Sequence, residues 1–504
     1  MTEERRDAVV GWVTIAVVVT VLLIVGWMWS SDRDEVAQVE PPSANKVSEA
    51  KDYLQSANSA FDAGNYRAAR KLAETAIQLD PLLFEAALLG GDAAIESKEF
   101  DKAIELFERV PDGDSRSAIN AKYGSARVNY LRGIHDVAER TLRAILERRP
   151  GHISSDDLLS EILDVQGRRQ ASVKYAMEVA REGRSSLEAL MLLTDPEFVI
   201  SPNNRAQRAT DRTPELGGPK LGLARAAFDE GDNDRGWSLV REAIATDPSL
   251  LEARLLWGKR LLDSDAKAFV EWHESLPKQA EDFSELWFLR GEWAQRHDQP
   301  RAAIRCFWQT LVLEPNHRAA HFKLAQLLRD SKPTAAKEVL DRGLQLSRLK
   351  KALEPIVAVG VEATLDEFYE VVVTLEALDR EVEARAWEAY ARRDEDGFEF
   401  VRIDGVTGSL RHVDSPYANE WAGLSSYPLP DMRIEPPAGG EATPSDYAVA
   451  FEDQAIAIGL DFTYVPAPDD TTPGKRIIEL TGGGVAAIDF DLDAWPDMFF
   501  TQGG

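Results

Sequence analysis

The hydrophobic pattern begins with an uncharged run at residues 8–29. A helix of these 22 residues would be about 33 Å long, which matches the roughly 30 Å hydrocarbon core of a bilayer. Trp12 lies near one end of the run, and Trp27 and Trp29 lie at the other, as is typical of anchors at a membrane interface. The run has no polar face, which disfavours the alternative of a buried core helix. The pattern therefore predicts one transmembrane helix.

Basic residues flank this run unequally, because Arg5 and Arg6 precede it and Arg33 follows. The positive-inside rule then places residues 1–7 in the cytoplasm and the bulk of the chain outside it, in a periplasmic or extracellular space. Residues 30–46 are polar and proline-containing, which predicts a linker. The expected location is the cell membrane, with a single pass.

Beyond the linker the pattern changes to amphipathic helices with recurring small residues and prolines. Small residues permit two helices to approach closely, large ones fill the gap between neighbours, and a proline ends the second helix. Glycines such as Gly133 and Gly231 suit the turn between two helices. We call this arrangement of small, large and proline positions the sequence frame. Two units show it best: Gly64, Tyr66, Ala69, Ala76 and Pro81, and then Trp287, Gly291, Ala303, Phe307 and Pro315.

These residues resemble the tetratricopeptide repeat, whose period is about 34 residues. The resemblance implies a helical solenoid of about seven to nine repeats over residues 47–193 and 217–393, with an irregular linker at 194–216. Members of this family generally bind peptides or partner proteins in a concave groove. The rival interpretation is a plain helical domain with alanine-rich helices, and the spaced prolines favour repeats.

The composition changes again after residue 393. Residues 394–445 are rich in glycine, proline and polar residues, which predicts an irregular linker. Residues 446–504 then contain the spacing D-x-D-x-D-x-x-x-D, and the apolar letters VAAI and MFF on either side predict the strands of a hairpin. Carboxylates and a backbone carbonyl are ligands that Ca²⁺ prefers. The candidate metal ligands are Asp489, Asp491, Asp493 and Asp497, with the carbonyl of Trp495.

This segment resembles the FG-GAP, or VCBS, calcium-loop repeat, and its flanking sequence resembles the first repeat of the cartilage-acidic-protein/UnbV-like (ASPIC/UnbV) family. The resemblance implies an incomplete blade of a calcium-binding β-propeller. Ala494 stands where the loops of this family usually have glycine. An acidic surface turn is the alternative. Because the chain stops at Gly504, directly after the hairpin, it is expected to be a truncated or split gene product, and the alternative is a hairpin that docks on the helices.

The expected fold class is mostly α: a solenoid similar to tetratricopeptide repeats behind one N-terminal transmembrane helix, with a short β segment at the C-terminus. A formal charge of -28 disfavours a nucleic-acid partner. The single cysteine, Cys306, excludes an intrachain disulfide. No phosphate-binding loop or hydrolase motif is present. Histidines such as His135, His152 and His317 are interpreted as surface residues, so no catalytic residue is assigned.

Two functions remain open. The first is a membrane-anchored scaffold that binds a partner protein or peptide in the groove of its repeats, outside the cytoplasm, with an adhesion-type calcium repeat at its end. The second is the substrate-capture portion of an enzyme whose catalytic domain lies outside this chain.

Overall fold

Amphipathic helices follow one another from residue 43 to residue 392 of the computed structural model, which describes residues 43–195, 197–360, 363–392, 421–433, 485–488 and 497–500. The first half of the described array contains α1 (Ala44–Asp62), α2 (Tyr66–Leu79), α3 (Phe84–Glu96), α4 (Phe100–Phe107), α5 (Arg116–Leu131), α6 (His135–Arg148), α7 (Ile153–Val165), α8 (Arg169–Arg181), α9 (Leu187–Thr194) and α10 (Asn204–Arg212).

The second half of the described array continues with α11 (Gly217–Asp229), α12 (Asn233–Thr246), α13 (Leu251–Ser264), α14 (Ala266–Glu274), α15 (Ser284–Arg296), α16 (Pro300–Leu313), α17 (Arg318–Leu328), α18 (Pro333–Val359), α19 (Leu365–Glu376) and α20 (Glu381–Ala391). A 3-10 helix at Lys278–Asp282 precedes α15. The short helix α10 lies within the stretch that was expected to be irregular.

Consecutive helices pack in pairs through their small and apolar faces. The pairs are α1 with α2, α3 with α4, α5 with α6, α7 with α8, α11 with α12, α13 with α14, α15 with α16, α17 with α18 and α19 with α20. Each pair also contacts the next pair along the chain, so the apolar clusters follow one another through the array. The prediction of a mostly helical repeat array is confirmed.

Glycines and aromatic rings fit together between the helices. The Phe107 ring of α4 lies against Gly91 of α3 and Gly124 of α5, and a Cβ atom at either glycine would lie within 2.4 Å of that ring. Gly291 of α15 faces the ring of Phe307 of α16 in the same way. The small and large positions of the sequence frame are therefore direct packing partners.

The turns also follow the sequence pattern. Gly64 and Gly133 have φ angles of 72° and 81°, which non-glycine residues rarely adopt. Pro81 and Pro315 come directly after α2 and α16 and their C-caps. The predicted helix breaks are confirmed at these positions.

The end of the array returns to its middle. Apolar residues of α8 and α9 share one cluster with α18, α19 and α20. The Trp387 indole of α20 donates to the Thr194 hydroxyl of α9 at 2.8 Å. Arg380 donates to the carbonyl oxygens of Leu193 and Thr194 at 3.2 and 3.0 Å. The two halves are therefore joined by contacts between residues far apart in the sequence.

The transmembrane part of the expected fold class requires correction. Within the ranges that the structure describes, no helix combines the length and the apolar composition needed to cross a membrane. The longest, α18, has 27 residues but carries charges such as Lys350, Lys351 and Glu354. The predicted span at residues 8–29 lies outside the described residues. The expected membrane location depended on that span, so the anchor and the location are both withdrawn.

The β part of the expected fold class also requires correction. Near the C-terminus the structure describes only two four-residue strands, β1 (Val485–Ile488) and β2 (Asp497–Phe500), which pair antiparallel with Val485 opposite Phe500. A propeller blade has four strands, and a lone two-stranded pair is marginal in water. The described residues therefore provide no blade, and the expected partial blade is not supported.

Candidate functional site

An extended segment of the chain lies on the helical repeats at residues 421–433, which we name the strap. It begins with Trp421 and a 3-10 helix, Ala422–Ser426, and continues without regular secondary structure to Arg433. Pro428 and Pro430 lie in this second part and favour an extended backbone. The strap contacts α15 and α16, so the repeats hold a piece of peptide chain here.

The first half of the strap is held by apolar contacts. Leu424 is only 3 % exposed, and it joins the cluster formed by α15, α16, α17 and α18. Trp421 and Tyr427 pack against the same cluster. Burying a leucine side chain contributes about 1.5–3 kcal/mol. Leu424 is therefore the apolar anchor of the strap.

The second half of the strap is held through its main chain. The Trp293 indole and the Gln299 side-chain amide both donate to the carbonyl oxygen of Asp431, each at 3.0 Å. The Asp431 N–H donates to Gln299 Oε1 at 2.7 Å, and Arg305 donates to the carbonyl oxygen of Tyr427 at 2.6 Å. Gln299 thus pairs with the donor and the acceptor of one residue, as a neighbouring strand would.

Side-chain contacts add to this main-chain recognition. The Arg301 guanidinium lies over the Tyr427 ring, 4.6 Å from its centre, a cation–π contact. Met432 packs against the apolar cluster of α13, α14 and α15. Within the strap, the side chain of Arg433 hydrogen-bonds the carboxylate of Asp431 and lowers its pKa to about 2. Asp431 therefore presents its backbone, and not its carboxylate, to the repeats.

Four residues of the repeats make these polar contacts, and we name them the seat: Trp293, Gln299, Arg301 and Arg305. Arg301 and Arg305 are four residues apart, which places them on one face of α16. Gln299 is the N-cap residue of α16, and the turn before it is tightened by Asp298 at φ 54°. Trp293 is 1 % exposed and stacks on Phe269. The seat is therefore fixed by the turn between α15 and α16.

The sequence pattern predicts neither the strap nor the seat. It predicts an irregular linker at residues 394–445, and Arg301 and Arg305 lie within the repeats predicted at residues 217–393. The letters YPLPD at 427–431 were the available signal, since aromatic and proline residues in a linker are typical of peptide-recognition motifs. Which helix such a segment contacts is set by tertiary packing.

Apart from the seat, a cleft lies beside α13 and α14. Ile244, Trp257, Leu261 and Trp272 line a cleft of about 420 Å³, and Arg254 borders it. The Trp272 indole donates to the Arg254 carbonyl oxygen at 2.9 Å, which holds this wall in place. The cleft has room for an apolar side chain.

The predicted calcium ligands fall almost entirely outside the described residues. Asp489, Asp491, Asp493 and Trp495 lie in the stretch between β1 and β2, which is not described. Asp497 is the first residue of β2 and pairs with Ile488 in the strand register. In the described part of the chain, no group of three or more His, Cys, Asp or Glu residues could hold a metal ion. The calcium site therefore stays a prediction.

The histidine interpretation is wrong for His135, which is 1 % exposed, whereas His152 and His317 are partly buried. Burial lowers the pKa of His135 to about 4. Cys306 is buried in α16, as expected of a small apolar residue, and burial raises its pKa to about 12.

Comparison with known proteins gives the class of the repeats. Residues 54–118 match the family described as tetratricopeptide repeat. These residues cover α2, α3 and α4, where the Gly91–Phe107 contact was found. The family match is therefore shown for this segment, and the same pairing of helices continues to α20. The segment that resembles the FG-GAP and UnbV-like families, residues 446–504, lies outside this match, and that resemblance stays a prediction.

Individual proteins resemble parts of the chain. A protein of Yersinia pestis named beta-barrel assembly-enhancing protease is 30% identical over 185 residues, which cover 37% of this chain and 35% of that protein. The chain thus spans about a third of the length of this relative. The crystal structure of MamA covers 38% of this chain and 94% of its own, at 14% identity and a TM-score of 0.21.

A third similar protein is YrrB, whose structure is titled a TPR protein with an unusual peptide-binding site. It covers 42% of this chain and 91% of its own, at 14% identity and a TM-score of 0.21. A TM-score of this size is too low to indicate a shared overall arrangement.

Proposed function

We propose that this chain is a protein-interaction scaffold whose seat binds an extended peptide segment through its main chain. The observation that carries the proposal is the pairing of Gln299 with both the N–H and the carbonyl of Asp431. Main-chain recognition of this kind provides affinity, and neighbouring apolar contacts select the sequence. Here those contacts are made to Leu424 and Tyr427.

The test uses the full chain and a fluorescent peptide with the sequence of residues 421–433. The strap of the chain is first loosened by Leu424→Ala and Tyr427→Ala, so that the seat can accept the peptide. In this background Gln299→Ala is expected to weaken binding of the peptide at least about tenfold, since it removes two hydrogen bonds of about 1 kcal/mol each. The readout is fluorescence anisotropy.

The matched control is Gln326→Ala, which changes the same side chain at an exposed position of α17. It is expected to leave peptide affinity unchanged. Equal affinity of the Gln299→Ala and Gln326→Ala chains would refute peptide binding at the seat.

The proposal includes a calcium site formed by Asp489, Asp491, Asp493 and Asp497 with the carbonyl of Trp495. Its support is the spacing of the carboxylates along the sequence. Calorimetric titration of the full chain with CaCl₂ is expected to show binding that Asp491→Asn and Asp493→Asn abolish. Ala494→Gly is expected to tighten binding, because glycine adopts the sharp turn of such loops more readily. Heat changes identical for the double variant and the parent chain would contradict the site.

A second function, substrate capture for an enzyme, is favoured by the protease name of the Yersinia pestis relative. In the second function the catalytic domain lies outside this chain, so the DNA downstream of the coding region separates the two functions. Further D-x-D-x-D loops there would favour the scaffold, and a domain with a catalytic constellation would favour the enzyme.

A further inference from the structure

We infer that the strap is an internal competitor, which keeps the seat closed until a partner peptide of the same chemistry displaces it. This inference rests on the proposed function, because it adds the regulation and the partner of the same seat. The strap already occupies every polar group of the seat that was described: Trp293, Gln299, Arg301 and Arg305.

The strap is held by one deeply buried side chain and by its main chain. Leu424 is that side chain among the side chains the structure describes, whereas Leu429 is 51 % exposed and Pro428 is exposed. The hydrogen bonds named above join side chains of the seat to main-chain atoms of Tyr427 and Asp431. A segment that lies on the helix pairs in this way can leave without disturbing them.

The contacts also define the partner. The seat needs a carbonyl at one position, and both a carbonyl and an N–H four residues later, as Tyr427 and Asp431 provide. The two prolines between these residues have no N–H to leave unpaired, and they reduce the entropy lost when an extended chain is bound. The anchor leucine comes three residues before the aromatic ring. The partner is therefore a protein segment with the pattern Leu-x-x-aromatic-Pro-x-Pro.

Covalent linkage makes the competition effective. The strap is joined to α20 through residues 393–420, so it is always near the seat. An effective concentration of about 1 mM against an intrinsic Kd of about 10 µM would close the seat about 99 % of the time. The apparent affinity of a partner would then be reduced about 100-fold.

The experiment compares full-length chains in their binding of the fluorescent 421–433 peptide. The wild-type chain is expected to bind it weakly. The chain with Leu424→Ala and Tyr427→Ala is expected to bind it about 10- to 100-fold more tightly. A second loosened chain, with Pro428→Gly and Pro430→Gly, keeps Leu424 in place and is expected to show a gain in the same direction.

The outcomes separate this inference from the proposed function. Tight binding that is equal in the wild-type and both loosened chains would overturn the competition and leave peptide binding at the seat standing. Absence of binding in the loosened chains, or binding that Gln299→Ala does not weaken, would overturn the proposed function itself. Tight binding in one or both loosened chains, with weak binding in the wild-type chain, supports both the competition and the proposed function if Gln299→Ala weakens that binding. A scrambled peptide that binds equally well would overturn the Leu-x-x-aromatic-Pro-x-Pro pattern.

Discussion

At the scale of single residues, the contacts between glycines and aromatic rings set the spacing of the helices. Phe307 is fully buried, and the nearest ring atom lies 2.6 Å from where a Cβ of Gly291 would be. Interiors are packed so closely that such a ring has little room to move. The glycine is therefore required by the neighbour it faces, although it weakens the helix that contains it.

Gly291→Ala is expected to lower the melting temperature measured by circular dichroism. Overpacking a core costs about 1–3 kcal/mol, whereas alanine improves helix propensity by at most about 1 kcal/mol. The control is Gly423→Ala in the strap, where an added Cβ has no neighbour within 4 Å. A Gly291→Ala chain as stable as this control would contradict the packing argument.

Buried histidine makes the fold sensitive to acid. His135 has a folded-state pKa of about 4, chiefly because of burial, with Arg208 and Arg205 adding to the effect. Its Nδ1 has no hydrogen-bond partner among the described residues. Between the unfolded pKa of about 6.5 and this value, the unfolded chain binds a proton that the folded chain does not. The contribution of His135 to the free energy of unfolding therefore falls as the pH falls through this window.

His135→Leu is expected to reduce this pH dependence. Near pH 5 the slope of the unfolding free energy against pH should become smaller by up to about 1.4 kcal/mol per pH unit. This value corresponds to a difference of one bound proton between the unfolded and the folded chain. Part of the dependence remains, because burial also lowers the pKa values of His273 and His321 to about 4. Urea denaturation at a series of pH values provides the measurement. An unchanged slope would show that His135 is protonated in the folded chain.

At the scale of elements, helix α20 closes the array by binding the end of α9. Arg380 is 5 % exposed, donates to two carbonyls at the end of α9, and pairs with Glu383 at 3.1 Å. The last carbonyls of a helix have no partner within it. Arg380 therefore satisfies groups that would otherwise be buried without hydrogen bonds.

Arg380→Ala is expected to destabilise the chain by about 3–5 kcal/mol, because it leaves the Glu383 carboxylate buried without its partner. Hydrogen exchange followed by mass spectrometry should become faster in α9 and α20, and remain unchanged in α1 and α2. Replacing the pair together, by Arg380→Met and Glu383→Leu, is expected to recover the part of the loss that comes from the unpaired carboxylate, while the two carbonyls of α9 remain without Arg380. Uniformly faster exchange in all helices would contradict a local role for the contact between α9 and α20.

At the scale of the whole array, this closure changes how repeats unfold. A repeat array in which each unit contacts only its neighbours can unfold progressively. Here α8 and α9 share a core with α18, α19 and α20. In addition, Glu197 lies between Arg318 and Lys350 and pairs with both. The first and second halves of the described array are therefore coupled.

Denaturant unfolding of the full chain is expected to give coincident transitions by tryptophan fluorescence and by far-UV circular dichroism. Residues 43–236 contain no tryptophan, so fluorescence reports mainly on the second half, whereas circular dichroism reports on all helices. Coincident transitions indicate one cooperative unit. The Arg380→Ala chain should show two separated transitions. Separation already in the wild-type chain would mean that the halves are independent.

The sequence by itself determined the repeated helix pairs. Gly64, Gly91, Phe107 and Pro315 act on neighbours close in the chain, so their spacing is enough to predict the turns, the close approaches and the helix ends. Local interactions of this kind produce a periodic pattern in the sequence, which is why the family match at residues 54–118 agrees with the predicted sequence frame.

Only the tertiary structure decided the return of α20 to α9 and the position of the strap. Thr194 and Trp387 are far apart in the sequence, and Leu424 packs against α16, which lies more than a hundred residues before it. Contacts between distant residues produce no periodic pattern in the sequence, since many surfaces could bury the same side chains equally well. The tertiary structure also identifies the seat, because it shows the strap backbone lying across Gln299 and Arg305.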